Sequence, residues 1–261
     1  MGFQSDVLTI ERDLHVATVW LDNAAARNAM GAAFWHDLPR AFDELGADEG
    51  VRAVVVAARG KHFSAGIDLE FLGGAPKAAS AAERLAFMGF LKELQAAIAA
   101  PERCPKPVIA AVHGACIGAG LELIAACDIR LAAADSVFSL RETRMGIVAD
   151  LGALVRLPKL VHAGQAAELI YTGKDIDAAR AREIGLVNDV HADHDAVVAA
   201  ARALAADIAS NSPLAVQGSK ALFGKGLDEV AVWNAAFMHS EDLDEAVAAF
   251  FEKRAPEFRG R

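Results

Sequence analysis

The sequence predicts an α/β protein built from repeated strand–strand–helix units, followed by a helical C-terminal region. Three observations carry this. The uninterrupted apolar runs Val51–Ala58 and Pro107–Val112 suit strands buried on both faces. Small-residue turns follow them, at Ser64-Ala65-Gly66 and Gly118-Ala119-Gly120. Beyond Gly152, helical spacing dominates to the end of the chain.

In order, Val7–Ile10 and Val16–Leu21 alternate and are rich in β-branched residues, which predicts a hairpin-like strand pair. The loop Asp22–Asn28 leads to a helix over Ala32–Leu45, in which Pro39 marks a break or a boundary. After the buried strand Val51–Ala58 and its turn, residues 73–81 read as loop. Apolar residues at helical spacing (Leu85, Met88, Leu91, Leu94, Ile98) then predict a helix over Ala82–Ala100. Pro107–Val112 is the next buried strand, and an apolar helix runs from the Gly120 turn through Cys127. Ile129–Leu131 and Val137–Leu140 are short strands. Helices follow at Gly164–Tyr171, Ala178–Ile184, Asp195–Ser210, Pro213–Gly224 and Asp228–Lys253. A soft boundary near residues 190–212 divides the chain into an α/β core, 1–195, and a helical part, 196–261.

Composition narrows the function. At 261 residues with 54% hydrophobic and 23% charged residues, a sizeable core is expected. The net charge of −9 argues against sequence-independent binding of nucleic acid or of an anionic membrane. Cys104, Cys116 and Cys127 form no C-x-x-C pair and no zinc-ligand spacing, so buried free thiols and no metal site are expected. Met1–Val7 has neither a basic nor an apolar leader region, and no apolar run reaches the roughly 20 residues of a membrane span. A cytoplasmic protein is the expectation.

Both small-residue turns suit a developing negative charge. A helix N-terminus exposes unpaired N–H groups with partial positive charge, and small residues admit close approach to the backbone. Two such N–H groups on one carbonyl oxygen would form an oxyanion hole, in which losing one donor costs about 3 kcal/mol. Tight packing alone would also explain such turns. Gly118-Ala119-Gly120 is not a dinucleotide fingerprint, because Leu123 stands where the third glycine belongs.

Three acids stand at informative positions. Glu122 lies in the first turn of an otherwise apolar helix, and Glu142 and Asp150 flank a segment nearly free of charge. A buried carboxylate is costly unless paired or functional. Each also has a structural reading: Glu122 as a helix-dipole partner, Glu142 as a pair for Arg141 or Arg144, and Asp150 as a helix N-cap.

Taken together the motifs resemble the crotonase (enoyl-CoA hydratase/isomerase) superfamily almost end to end. Arg27-Asn28-Ala29-Met30 resembles its R-N-A-[LM] signature, and Phe63–Leu69 resembles its F-[SC]-A-G-x-D-[LI] block. Pro105–Gly114, Cys116–Leu123 and Ala126-Cys127-Asp128 resemble its central signature, and segments between Ser240 and Phe258 resemble its closing part. Ala246 replaces a usual Gly, and Asn23-Ala24 replaces a usual Arg-Pro. The resemblance implies a crotonase-type spiral of ββα units with a helical C-terminal trimerisation region, assembled as a homotrimer or a hexamer. It implies an acyl-CoA substrate with coenzyme A as part of that substrate and no separate cofactor. The oxyanion N–H groups would come from Ala65 and Ala119, and CoA would meet Arg27, Ala65, Gly66, Ile67, Asp68, Leu69 and Lys253.

Two reactions fit the resemblance. Members with glutamates at the positions of Glu122 and Glu142 hydrate 2-enoyl thioesters. The segment Met145–Lys159 is similar to V-G-L-A-A-D-V-G-T-L-Q-R-L-P-K of the Δ3,5-Δ2,4-dienoyl-CoA isomerases, whose three acids are spaced by 20 and 8 residues, as Glu122, Glu142 and Asp150 are here. Their first acid is typically Asp, where this chain has Glu. A 1,5 proton shift is the leading expectation: Asp150 at C2, Glu142 at C6 or the reverse, and Glu122 orienting or holding water. Hydration is the alternative. A non-catalytic or RNA-binding relative stands behind both, opposed by the acidic balance and by the three acids.

Overall fold

The computed structural model describes residues 3–76 and 78–261. The readings of Met1–Val7 and of loop 73–81 therefore include residues 1, 2 and 77, which lie outside the described residues.

The chain opens with the antiparallel pair β1 (Leu8–Asp13) and β2 (Val16–Leu21). Helix α1 (Ala32–Ala47) and strand β3 (Ala53–Ala58) follow, then α2 (Leu69–Gly73), α3 (Ala81–Ile98) and α4 (Ala100–Arg103). Next come β4 (Val108–Val112), β5 (Ala115–Ile117) and α5 (Ala119–Ala125), then β6 (Ile129–Ala133) and β7 (Val137–Ser139). A 3-10 turn at Glu142–Met145 leads to α6 (Ala153–Leu160), α7 (Ala163–Thr172), β8 (Ile176–Asp177), α8 (Ala178–Glu183) and β9 (Asp189–His191). Helices α9 (His194–Ala209), α10 (Pro213–Leu222), α11 (Leu227–Phe237) and α12 (Glu241–Glu252) complete the described chain.

The strand–strand–helix repeat has a plain structural meaning. In the central repeats the first strands β4 and β6 join a six-stranded sheet of order β1-β2-β3-β4-β6-β9, parallel except for β1 with β2, while the second strands β5 and β7 join a small sheet β5-β7-β8. In the β3 repeat the second strand shrinks to one bridge, Ser64 beside Cys116 of β5. Both faces of the large sheet are buried, as its apolar runs require. Val54, Val56 and Ala58 join one core with Phe34, Leu38 and Phe42 of α1. Ala53, Val55 and Ala57 join a second core with Val197, Ala201 and Ala205 of α9. A cut at 195/196 falls inside α9, whose apolar face is part of the sheet's cover.

Several elements differ from expectation, each for a local reason. Helix α1 runs through Pro39 without a break, its buried stripe Phe34, Trp35, Leu38, Phe42 and Leu45 outweighing one lost backbone hydrogen bond. The span 228–253 is two helices, because Ser240 caps α12 by accepting from the Leu243 N–H. Asp68 likewise caps the unforeseen α2, accepting from the Phe71 N–H at 2.9 Å. Strands β5, β8 and β9 have two or three residues, too few for alternation to register. Helix α6 is bracketed by Gly152 and contains Pro158, which hides its periodicity.

Candidate active site

The site grows from the bridge between repeats. The Ser64 N–H donates to the Ala115 carbonyl at 2.9 Å and the Ile117 N–H donates to the Ser64 carbonyl at 3.1 Å, so the turns after Ser64 and after Ile117 lie side by side. Gly66, at φ +92°, permits that approach: a Cβ there would meet the Ile117 carbonyl oxygen at 2.8 Å and the Ala119 nitrogen at 3.6 Å. The turn is braced from within. The Ser64 hydroxyl donates to the Asn28 carbonyl at 2.8 Å and accepts from the Gly66 N–H at 3.1 Å. Buried Asn28, in the left-handed region at φ +52°, donates to the Arg59 and His62 carbonyls at 2.9 Å each and accepts from the Asn23 N–H at 2.8 Å.

This bracing corrects one expected donor. The Ala65 N–H is spent on the Arg27 carbonyl at 3.0 Å, and the Asp68 N–H on the Met30 carbonyl at 3.1 Å. With the Gly66 N–H on Ser64, the residue between Ser64 and Asp68 whose N–H has no protein acceptor among the described residues is Ile67. Ala119 opens α5, and its N–H is one of the unpaired groups of a helix first turn. Ile67 and Ala119 thus occupy equivalent places in successive repeats, each just after a second-strand position.

The three acids come together. Glu122 is buried on α5, and neither carboxyl oxygen has a hydrogen-bond partner among the described residues. Burial first, then repulsion from Glu142 and Asp150, pushes its carboxyl up to about 8. The nearby Ala153 N–H and the Arg156 charge offset part of this without forming a hydrogen bond. Glu142 opens the 3-10 turn, and a Cβ on neighbouring Gly118 would lie 3.1 Å from its Oε1. Burial raises the Glu142 carboxyl, its own N–H pulls the other way, and the Asp150 charge raises it further. Asp150 is the most exposed of the three, and burial raises its carboxyl against the pull of its own N–H. Two of the structural alternatives do not hold: Arg141 pairs with Asp175 and Arg144 donates to the Thr172 carbonyl, while Gly152 is the N-cap of α6; Glu122 does stand in the first turn of α5.

The other expected residues divide. Arg27 is exposed beside the turn, with no ion pair among the described residues. Leu69 is exposed, and Asp68 is occupied as a helix cap. Lys253 ends α12, whose hydrogen bonds tie it to Ser212 and to residues 257–261, and none of these reaches the Ala65–Leu69 turn. Sequence reasoning missed the supports. Asn28 lies inside a quoted motif. Gln95, whose Nε2 donates to the Asp150 carbonyl at 2.7 Å, and Arg156 carry no local signal. A cleft of about 670 Å3 lined by Glu11, His15, Arg52, Arg202 and Phe258 holds none of the acids.

Two backbone donors abutting a cluster of carboxyl groups with raised pKa values define an acid–base catalyst for carbonyl compounds. Residues 11–261 match the family model described as enoyl-CoA hydratase/isomerase, and the chain belongs to that family. It is 41% identical to a mitochondrial Δ3,5-Δ2,4-dienoyl-CoA isomerase of Dictyostelium discoideum, covering 94% of this chain and 87% of that one. It is 38% identical to the peroxisomal enzyme of that name from Arabidopsis thaliana, over 97% and 96%, and 35% identical to a probable enoyl-CoA hydratase of Bacillus subtilis, over 98% and 99%. Among solved structures, an enoyl-CoA hydratase from Bacillus anthracis superposes with a TM-score of 0.89 at 30% identity, covering 98% of this chain and 100% of that one.

Proposed function

We propose that the protein isomerises 3,5-dienoyl-CoA to 2,4-dienoyl-CoA. The observation that supports this is the third acid: the Asp150 charge acts on the carboxyls of both Glu142 and Glu122, and hydration needs only the two glutamates. Relatives bearing the isomerase name over most of both chains support it.

The chemistry follows from the charges. The thioester oxygen sits between the Ile67 and Ala119 N–H groups, where the dienolate charge collects. Asp150, the least buried acid, takes the C2 proton. Burial, with the Asp150 charge adding to it, favours the protonated form of Glu142, and Glu142 delivers a proton to C6. The C3 and C5 double bonds become C2 and C4 double bonds, the proton count is unchanged, and the two carboxyls exchange protons to reset. Glu122, neutral below about pH 8, adds no third negative charge beside the dienolate. No electrons are transferred, so the chain's own acids suffice without a further cofactor.

Arg27 is proposed to meet the CoA phosphates, with Gly66, Ile67 and Leu69 along the adenine. Lys253 requires a different approach, for instance from a neighbouring subunit. A homotrimer or hexamer is proposed because Phe223, Leu227, Val232, Phe250 and Phe251 in the C-terminal helices are all exposed apolar side chains. Light scattering checks the mass. A cytoplasmic location accords with three buried free cysteines, and cell fractionation tests it against relatives named as mitochondrial and peroxisomal. Among the described residues no helix is long and apolar enough to cross a membrane.

The test gives the protein 3,5-octadienoyl-CoA and 2-octenoyl-CoA in parallel, with products weighed by mass. Isomerisation leaves the mass unchanged and hydration adds one water. Rapid conjugation of the diene, lost in Asp150→Ala, is expected. Full diene conversion by Asp150→Ala, or hydration alone by the wild type, refutes the reading and returns the enzyme to the hydratases.

A further inference from the structure

The turn that carries Asp150 is held by side chains rather than by either sheet. Gln95 of α3 catches the Asp150 carbonyl at 2.7 Å, and Arg156 of α6 catches the next one, donating from Nη1 to the Leu151 carbonyl at 3.2 Å. The same guanidinium donates from Nε and Nη2 to Glu102 Oε2 of α4, at 3.0 and 2.6 Å. It lies against bare Gly152, at φ +123°, where any Cβ would run into it. Although a cation, the Arg156 side chain is only 14% exposed.

We propose that Arg156 is a positioning residue: its fork fixes the peptide that aims Asp150, and its charge, on the helix packed against α5, steadies the buried acid cluster. This rests on the isomerase reading for its kinetic part only. The groups facing Glu122 are Glu142, Asp150, the Ala153 N–H and Arg156, and Arg156 faces Glu102 and Cys127 besides. Of these, Arg156 is the one full positive charge, and it opposes the upward push on the Glu122 carboxyl. The two duties are separable. Lysine keeps the charge but cannot fork between a carboxylate and a carbonyl, and methionine keeps neither.

The experiment compares Arg156→Lys, Arg156→Met and Glu102→Gln by diene kinetics, and by isotope-edited infrared titration of the glutamate carboxyls in the protein alone, with Glu122→Gln identifying the Glu122 band. Arg156→Lys is expected to lower kcat by roughly 10- to 100-fold at unchanged KM, the scale of an ångström-sized misplacement, with the Glu122 titration held. Arg156→Met lowers kcat as far and also moves the Glu122 titration upward. Glu102→Gln frees the fork from its anchor and lowers kcat in the same direction, which keeps the test intact if Arg156→Met does not fold. Wild-type kcat in Arg156→Lys and Glu102→Gln overturns the aiming role, and an unmoved Glu122 titration in Arg156→Met overturns the charge role. A wild type that converts no diene removes the isomerase reading, while the infrared titration still decides the role of Arg156 toward Glu122.

Discussion

Gly118→Ala tests whether the site depends on a backbone shape reserved for glycine. Gly118 sits at φ +54°, ψ −120°, between β5 and α5, in a region a Cβ disfavours. Holding a non-glycine residue in such a region costs about 1–3 kcal/mol. For a chain of this size that lowers Tm by roughly 2–12 °C. A second effect is local. The new Cβ would stand 3.1 Å from Glu142 Oε1, so the carboxyl must retreat by a few tenths of an ångström. Scaled from about 100-fold per ångström, that retreat corresponds to roughly 3- to 10-fold in kcat. Gly146→Ala supplies the control: its φ is +76°, yet no heavy atom lies within 4 Å of the added Cβ. Thermal unfolding and diene turnover are measured on both. Gly146→Ala should lose stability and keep its rate, and Gly118→Ala should lose both. Equal kcat in the two variants would refute the argument that Gly118 makes room for Glu142.

Other outcomes follow from the same geometry. Glu122→Gln should stabilise the protein increasingly between about pH 4.5 and 8: the native carboxyl titrates near 8, so wild-type stability falls as pH rises through this window, and urea unfolding across it should show a growing gain. A gain independent of pH would contradict it. His113 behaves with the opposite sign. Burial and the His194 ring stacked at 3.8 Å lower its pKa against the Gly60 carbonyl and Asp135, with His62 adding to the lowering. Its native contribution is whole above about pH 6.5 and is lost as pH falls below it, so acid sensitivity below about pH 6.5 should lessen in His113→Gln. Asn28→Ala removes three side-chain hydrogen bonds at a positive φ and should cost about 2–5 kcal/mol in chemical unfolding, with weakened acyl-CoA binding.

What was legible in the sequence was what lies within a few residues. The paired strands, both small-residue turns and the spacing of Glu122, Glu142 and Asp150 all survive in the structure, because burial on two faces and turn chemistry are written locally. Which N–H of the first turn stays free was not legible, since the Ala65 N–H is claimed by Arg27, far away in the chain. Arg156 and Gln95 escaped for the same reason: each matters through a carbonyl supplied by another element. The break before α12 was different. Ser240, followed by Glu241 and Asp242, carries a local cap signal that the helical spacing on either side of it obscures.

The two halves of the proposed catalytic site are fastened in unlike ways. Ala119 and Glu142 are tied through adjoining strands, since the Gly118 N–H donates to the Ser139 carbonyl at 2.8 Å, whereas Asp150 hangs from two side chains. A lineage could therefore exchange residues 146–156, together with the outlying anchor Gln95, and change which group takes the substrate's proton while the thioester grip stays intact. Reaction type and substrate handle would then be separately heritable, and a protein engineer could graft one without rebuilding the other.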